Sequence, residues 1–154
     1  MYPFPAEQSE ILIRLSMAVL LGLLVGAERT HVGKRAGMRT YALVSLGSAL
    51  FTVISGMVSA SYQNLFDFDP LRVASQIVMG IGFLGAGVIY VQRSTIVGLT
   101  TAAGLWVMAG VGMACGFGLY LIAAFVTFIM LVVFELLWYF EDKFIRSSEQ
   151  DPTQ

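Results

Sequence analysis

The segment GIGFLGAG, residues 80–87, contains Gly80-x-Gly82-x-x-Gly85, the spelling of a loop that cradles the pyrophosphate of a dinucleotide. That chemistry needs a buried strand turning into a helix, so that the helix N-terminus receives the phosphates. It also needs an acidic residue about 20 positions on, for the ribose. Neither condition is met. No Asp or Glu occurs between Asp69 and Glu135, and the segment lies inside an apolar run from Val73 to Val91 with no turn signal before it. No nucleotide or other cofactor is expected, and the glycines need another explanation.

Other polar residues fall into small groups. Glu28 and Arg29 are followed, across a short segment, by Arg39 and Thr40. A Glu28–Arg39 ion pair is expected, either fixing helix ends or forming part of a site. Ser45, Ser48, Thr52, Ser55 and Ser59 are spaced 3, 4, 3 and 4, which places them in one hydroxyl stripe at helical period. Such a stripe either packs against another helix, its hydroxyls bonding the preceding turn, or forms one wall of a hydrated pathway. Arg72 and Gln76 are one turn apart, with Gln76 positioned to face a cavity. Arg14 and Arg72 stand near segment ends, where long side chains snorkel to the interface. Glu135 is expected to be solvated, and His31 to be exposed in a basic loop.

These groups exclude several classes of chemistry. No Ser/His/Asp set lies in the apolar segments, so enzyme activity is not expected. Divalent cations prefer clustered carboxylates, whereas Glu28, Asp67, Asp69 and Glu135 are scattered, and metal ligands stay unassigned. One His and a lone Cys115 argue against a zinc cluster and an intrachain disulfide. No nucleic-acid partner is expected.

The elements that position these residues follow from composition. Of the 154 residues, 57% are hydrophobic and only 12% charged, against about 25% charged in soluble domains; mean hydropathy is +0.79. So few charges cannot cover a water-soluble surface, and the lipid bilayer is the expected solvent. Apolar segments predict five transmembrane helices, over 10–27, 40–61, 71–91, 98–115 and 118–140. The expected fold is an all-α, Gly-rich bundle over residues 1–140, with a short cytoplasmic tail at 141–154. Asp67, Asp69 and Pro70 read as a turn and helix start. The acidic N-terminal segment does not read as a cleaved signal peptide.

With five spans, Arg29, Lys34, Arg35, Arg39, Arg93, Lys143 and Arg146 share one side, and Arg14 and Arg72 the other. The positive-inside rule then predicts the N-terminus outside and the C-terminus in the cytoplasm. Trp138 and Tyr139 fall at the inner interface.

In lipid, helices associate by close packing, which small residues permit. Ala18, Gly22 and Gly26 form such a ladder in the first span. Gly82 and Ala86 do so in the third, where Gly80 and Gly87, two turns apart, share another face and Gly85 is also expected to pack, and Gly112 and Gly116 close the fourth. The first, third and fourth spans are therefore expected at the packed centre, with the bulky fifth facing lipid. A chain this small is expected to form a homo-oligomer, with a dimer favoured.

Three stretches together resemble the MgtC/SapB family of bacterial inner-membrane proteins. They are GLLVGAERTHVGKRAGMRTYALVSLGSALF (22–51), RVASQIVMGIGFLGAGVI (72–89) and VGLTTAAGLWVMAGVGMACGFGLY (97–120). The family pattern G-x-E-R, A-G-x-R-T, Q-x-x-x-G-x-G-F-L-G-A-G and G-L-T-T-A-A-x-L-W occurs in order, and the resemblance covers residues 10–138. It implies a five-span module linked to growth at low magnesium and, in some members, to survival inside host cells. Some members are thought to act on other membrane complexes, such as ATP synthase, which implies a regulatory or accessory role through helix contacts. The alternative is a small transporter or channel for Mg2+ or another small solute. The motif residues carried over are Glu28, Arg29, Gly37, Arg39, Thr40, Gln76, Gly80, Gly82, Gly85, Gly87, Gly98, Thr100, Thr101 and Trp106. Two departures favour the SapB-like branch. MgtC carries an additional cytoplasmic domain after its last span, and none is expected here. Thr100 and Val107 stand where the MgtC branch resembles Asn and Cys.

Overall fold

The computed structural model describes residues 7–62, 69 and 71–140, with side chains for all of these except 62 and 137–140. Its elements run α1 (Gln8–His31), α2 (Met38–Tyr62), α3 (Leu71–Val88), a hairpin of β1 (Tyr90–Gln92) and β2 (Thr95–Val97), α4 (Leu99–Gly116) and α5 (Tyr120–Phe140). The architecture is all-α and polytopic. Four helices, α1 to α4, are long and apolar enough to cross a membrane. The 21 residues of α5 span about 30 Å at the helical rise. The tail 141–154, Asp67, Pro70 and the side chains of Trp138 and Tyr139 lie outside the described residues.

Local chemistry explains the connections. Asp69 opens α3: its carboxylate accepts the Leu71 N–H at 2.9 Å, satisfying a donor that a helix start leaves orphaned. Thr30 joins α1 to α2, its hydroxyl donating to the Gly26 carbonyl at 2.9 Å and accepting the Met38 N–H at 3.1 Å. At the end of α4, the N–H groups of Gly118 and Leu119 return to the Cys115 and Ala114 carbonyls at 2.9 and 2.8 Å. Gly118 is left-handed, at φ +78°, which stops the helix and lets α5 begin two residues later.

The hairpin replaces the expected continuation of the third span to 91. Tyr90, Val91 and Gln92 pair antiparallel with Val97, Ile96 and Thr95. Arg93 and Ser94 form the turn with φ of 49° and 67°, the two-residue geometry whose twist suits a hairpin. The sequence offered no Gly or Asn at the turn to signal it.

The centre of the bundle is α1, α2 and α4, which pack on one another; α3 attaches chiefly through α4, and α5 through α4 and α1. This corrects the expectation that the third span is central. Of α3 only Ile81 and Gly85 are buried. The hairpin ties the end of α3 to the start of α4, where Gly85 meets Ala102 at ordinary contact distance, 3.7 Å from an added Cβ. The other faces of α3 meet little of the described chain. In α5, Ala123, Thr127, Met130 and Phe134 are buried in one stripe, and bulky residues such as Leu121 and Phe125 point outward.

Glycines on α1 and α4 sit at the tight crossings. A Cβ on Gly22 would lie 2.7 Å from the Ala42 Cα, and one on Gly26 would lie 2.5 Å from the Met38 Cα. On α4, Gly112 faces the Ser45 backbone and Gly116 faces Ala49 and Thr52. Gly80, Gly82 and Gly87, expected on close-contact faces, meet nothing within 4 Å of an added Cβ. Within the described chain these three glycines are not packing residues.

Candidate functional site

The motif residues converge at the end of the bundle where α1 finishes, α2 and α4 begin and the hairpin lies. α1 continues to His31, beyond the expected end at 27, and so carries Glu28 and Arg29 into the fold. The Arg29 guanidinium donates through Nε and Nη2 to both carboxylate oxygens of Glu28. Both side chains are buried, 4% and 7% exposed, and the Arg29 cation lies 3.9 Å from the centroid of the Phe134 ring. A planar cation with a bidentate carboxylate at its edge and an aromatic ring over its face is well compensated for burial. The expected Glu28–Arg39 pair is therefore corrected: Glu28 is taken by its chain neighbour.

Tyr41 completes this layer. It is fully buried, and its hydroxyl donates to the Thr101 carbonyl at 3.5 Å. Gly104 makes room for it, because a Cβ there would lie 2.5 Å from the Tyr41 hydroxyl and 2.7 Å from Phe134. Sequence reasoning missed Tyr41 and Phe134. Nothing in their spacing says that both meet at Gly104.

Beside this layer is a polar cavity of about 280 Å³, lined by Lys34, Arg35, Tyr90, Thr100 and Thr101 with Gly33, Val88, Val97 and Gly98. The Arg35 guanidinium stacks 4.0 Å from the centroid of the Tyr90 ring. Gly98 is left-handed at φ +97°, and a Cβ there would overlap the Val88 carbonyl, so only glycine lets the hairpin return to α4 so closely.

Arg39 and Thr40 face elsewhere. With Ser48, Gln76 and Gly80 they line an apolar groove of about 680 Å³ between α2 and α3. Arg72 is exposed at the start of α3 and does not line it. The hydroxyl stripe is a helix contact along most of its length: Ser45, Ser48, Thr52 and Ser55 are buried. Thr52 bonds back to the Ser48 carbonyl at 2.8 Å, the local bond that a hydroxyl inside a helix makes. Only Ser48 of the stripe also borders the groove.

Arg14 does not snorkel. It is fully buried, donates from Nη1 to the Gly116 carbonyl at 2.8 Å and pairs through Nη2 with Glu10. The residue thus ties the start of α1 to the end of α4. Glu135 and His31 are exposed. Among the described residues no group of three His, Cys, Asp or Glu side chains is placed to hold a metal ion.

Comparison with known proteins adds a family. Residues 15–143 match the model of the MgtC family. Over 97 residues the chain is 46% identical to the Escherichia coli K12 protein named "Putative magnesium transporter YhiD", covering 62% of this chain and 45% of that protein. It is 49% identical over 89 residues to Protein MgtC of Brucella abortus, covering 58% of this chain and 35% of that protein. Protein MgtC of Salmonella typhimurium is 47% identical over 92 residues, 60% of this chain and 37% of that protein. The matched region is thus less than half of each of these relatives. No solved structure is significantly similar.

Proposed function

The chain belongs to the MgtC family, and on that premise we propose that it is an accessory membrane protein of magnesium homeostasis. It works without enzymatic chemistry, by engaging a helix of a partner membrane protein. The observation that carries this reading is α3. One face carries Gly80 and Gly87, two turns apart, with open space where side chains would be, and a groove runs beside it. Small residues let a second helix approach closely, which is how helices associate in lipid. The orientation that fits is N-terminus outside, with the Lys34–Arg35 end in the cytoplasm.

The test is growth at limiting magnesium in bacteria lacking this gene. Wild type should restore growth, and a Gly80→Leu/Gly87→Leu variant that accumulates normally in the membrane should not. Full rescue by that variant would overturn the reading. Transport of Mg2+ is the second reading, supported by the printed name of the Escherichia coli relative. Its expected pathway along the hydroxyl stripe has little support, because that stripe is buried in a helix contact. Magnesium flux into liposomes carrying the purified chain alone would favour transport over the accessory role. Self-association as a homodimer belongs to the same proposal, and a monomeric mass in lipid would remove it.

A further inference from the structure

We propose that the polar cavity beside the α4 N-terminus binds a phosphate-bearing anion, either the headgroup of an anionic phospholipid or free phosphate. This inference is independent of the accessory role. α4 is 18 residues long and starts after Gly98, which supplies no side-chain cap. The first-turn N–H groups of a helix have no partner within it and carry the positive end of its dipole. Here the Ala102 N–H reaches the Gly98 carbonyl at 2.9 Å, which leaves those of Leu99, Thr100 and Thr101.

A second observation points to a ligand. Thr101 is only 7% exposed yet lines the cavity. The one side-chain hydrogen bond at this residue, from Tyr41, goes to its carbonyl, and its hydroxyl has no partner among the described residues. The side chain is held inside the fold, but its oxygen is not sealed off from the cavity, where an oxyanion would accept from it. Lys34 and Arg35 add two cations, and no acid lines the space. Stacking on Tyr90 at 4.0 Å holds the Arg35 plane while leaving its N–H edge free for a fork-like contact with phosphate oxygens. The volume of about 280 Å³ equals that of about nine waters, enough for a phosphate group and part of its hydration shell.

The experiment uses the full chain, purified in a maltoside detergent. Binding of phosphatidylglycerol, of zwitterionic phosphatidylethanolamine and of inorganic phosphate is titrated by native mass spectrometry and ligand-dependent melting. Saturable binding of phosphatidylglycerol or inorganic phosphate is expected. Phosphatidylglycerol alone identifies a lipid site, and inorganic phosphate, alone or as a competitor, identifies a free-anion site. Lys34→Gln/Arg35→Gln should weaken binding at least about tenfold. Thr101→Val should weaken it several-fold, with ligand-free melting as the check on folding. Arg93→Gln, which removes a cation from the hairpin turn outside the cavity, should leave binding unchanged. No saturable binding of either probe, equal binding of phosphatidylethanolamine, or an equal loss in Arg93→Gln would overturn the proposal.

Discussion

Gly112→Ala tests whether α4 needs the absence of a side chain. An added Cβ would overlap the Ser45 carbonyl oxygen and lie 2.9 Å from both the Cα and the carbonyl carbon of Ser45, where ordinary contact begins at 3.4 Å. The obstacle is backbone, chiefly the carbonyl oxygen, so it yields only if α2 and α4 move apart by about an ångström. A gap of that size forfeits about half of the dispersion well of each contact across the interface, and overpacking costs about 1–3 kcal/mol. Gly110 is the internal control, because nothing lies within 4 Å of an added Cβ there. Both substitutions gain the same helix propensity, about 0.8–1 kcal/mol, which cancels in the difference. Gly112→Ala should therefore be less stable than Gly110→Ala by about 1–3 kcal/mol. For a chain of this size that is about 2–4 °C in melting temperature per kcal/mol. The assay is thermal unfolding in detergent, followed by far-ultraviolet circular dichroism. Equal melting temperatures for the two variants would refute the close-packing argument for the α2–α4 crossing.

Arg14→Met keeps the bulk but removes the bond to the Gly116 carbonyl, and should cost about 1.5–3 kcal/mol in the same assay; no loss would return Arg14 to simple anchoring. Thr52→Val should stay within about 1 kcal/mol of wild type, because Oγ1 bonds only its own helix, whereas Thr52→Leu should cost about 1–3 kcal/mol. Leu tolerated better than Val would indicate space beside the stripe rather than a packed contact. Gly98→Ala should loosen the hairpin, since it imposes a left-handed Ala, a cost of about 1–2 kcal/mol, and overlaps the Val88 carbonyl. Trypsin should then cleave faster after the exposed Arg93, and an unchanged rate would contradict the account of this turn.

Much of the fold was legible because the bilayer leaves few options. Apolar runs of about 20 residues must be helices, since only a helix satisfies its own backbone in lipid. The runs around 40–61, 98–115 and 118–140 accordingly became α2, α4 and α5. Boundaries failed where polar residues were involved. α1 extends through Glu28 and Arg29 because they neutralise each other beneath Phe134. α3 ends early because Arg93 and Ser94 take left-handed angles that residues of their type seldom signal. Within the site, Glu28 and Arg29 were found together, and Thr100 with Thr101, since each pair is adjacent in sequence. Arg39, though, went to the groove with Gln76, and Arg35 and Tyr90 met across a loop and a hairpin.

By itself, the sequence determined the solvent, the number of apolar helices and which residues are small enough for helices to touch. These are properties of composition and local spacing, and they hold whatever the neighbours are. Tertiary structure alone decided which small faces are used: Gly22 and Gly112 lie in crossings, while Gly82 and Gly87 look outward. It also decided that Arg14 belongs inside. Lipid offers no hydrophobic gradient to sort one apolar face from another, so helix order and connections make that choice.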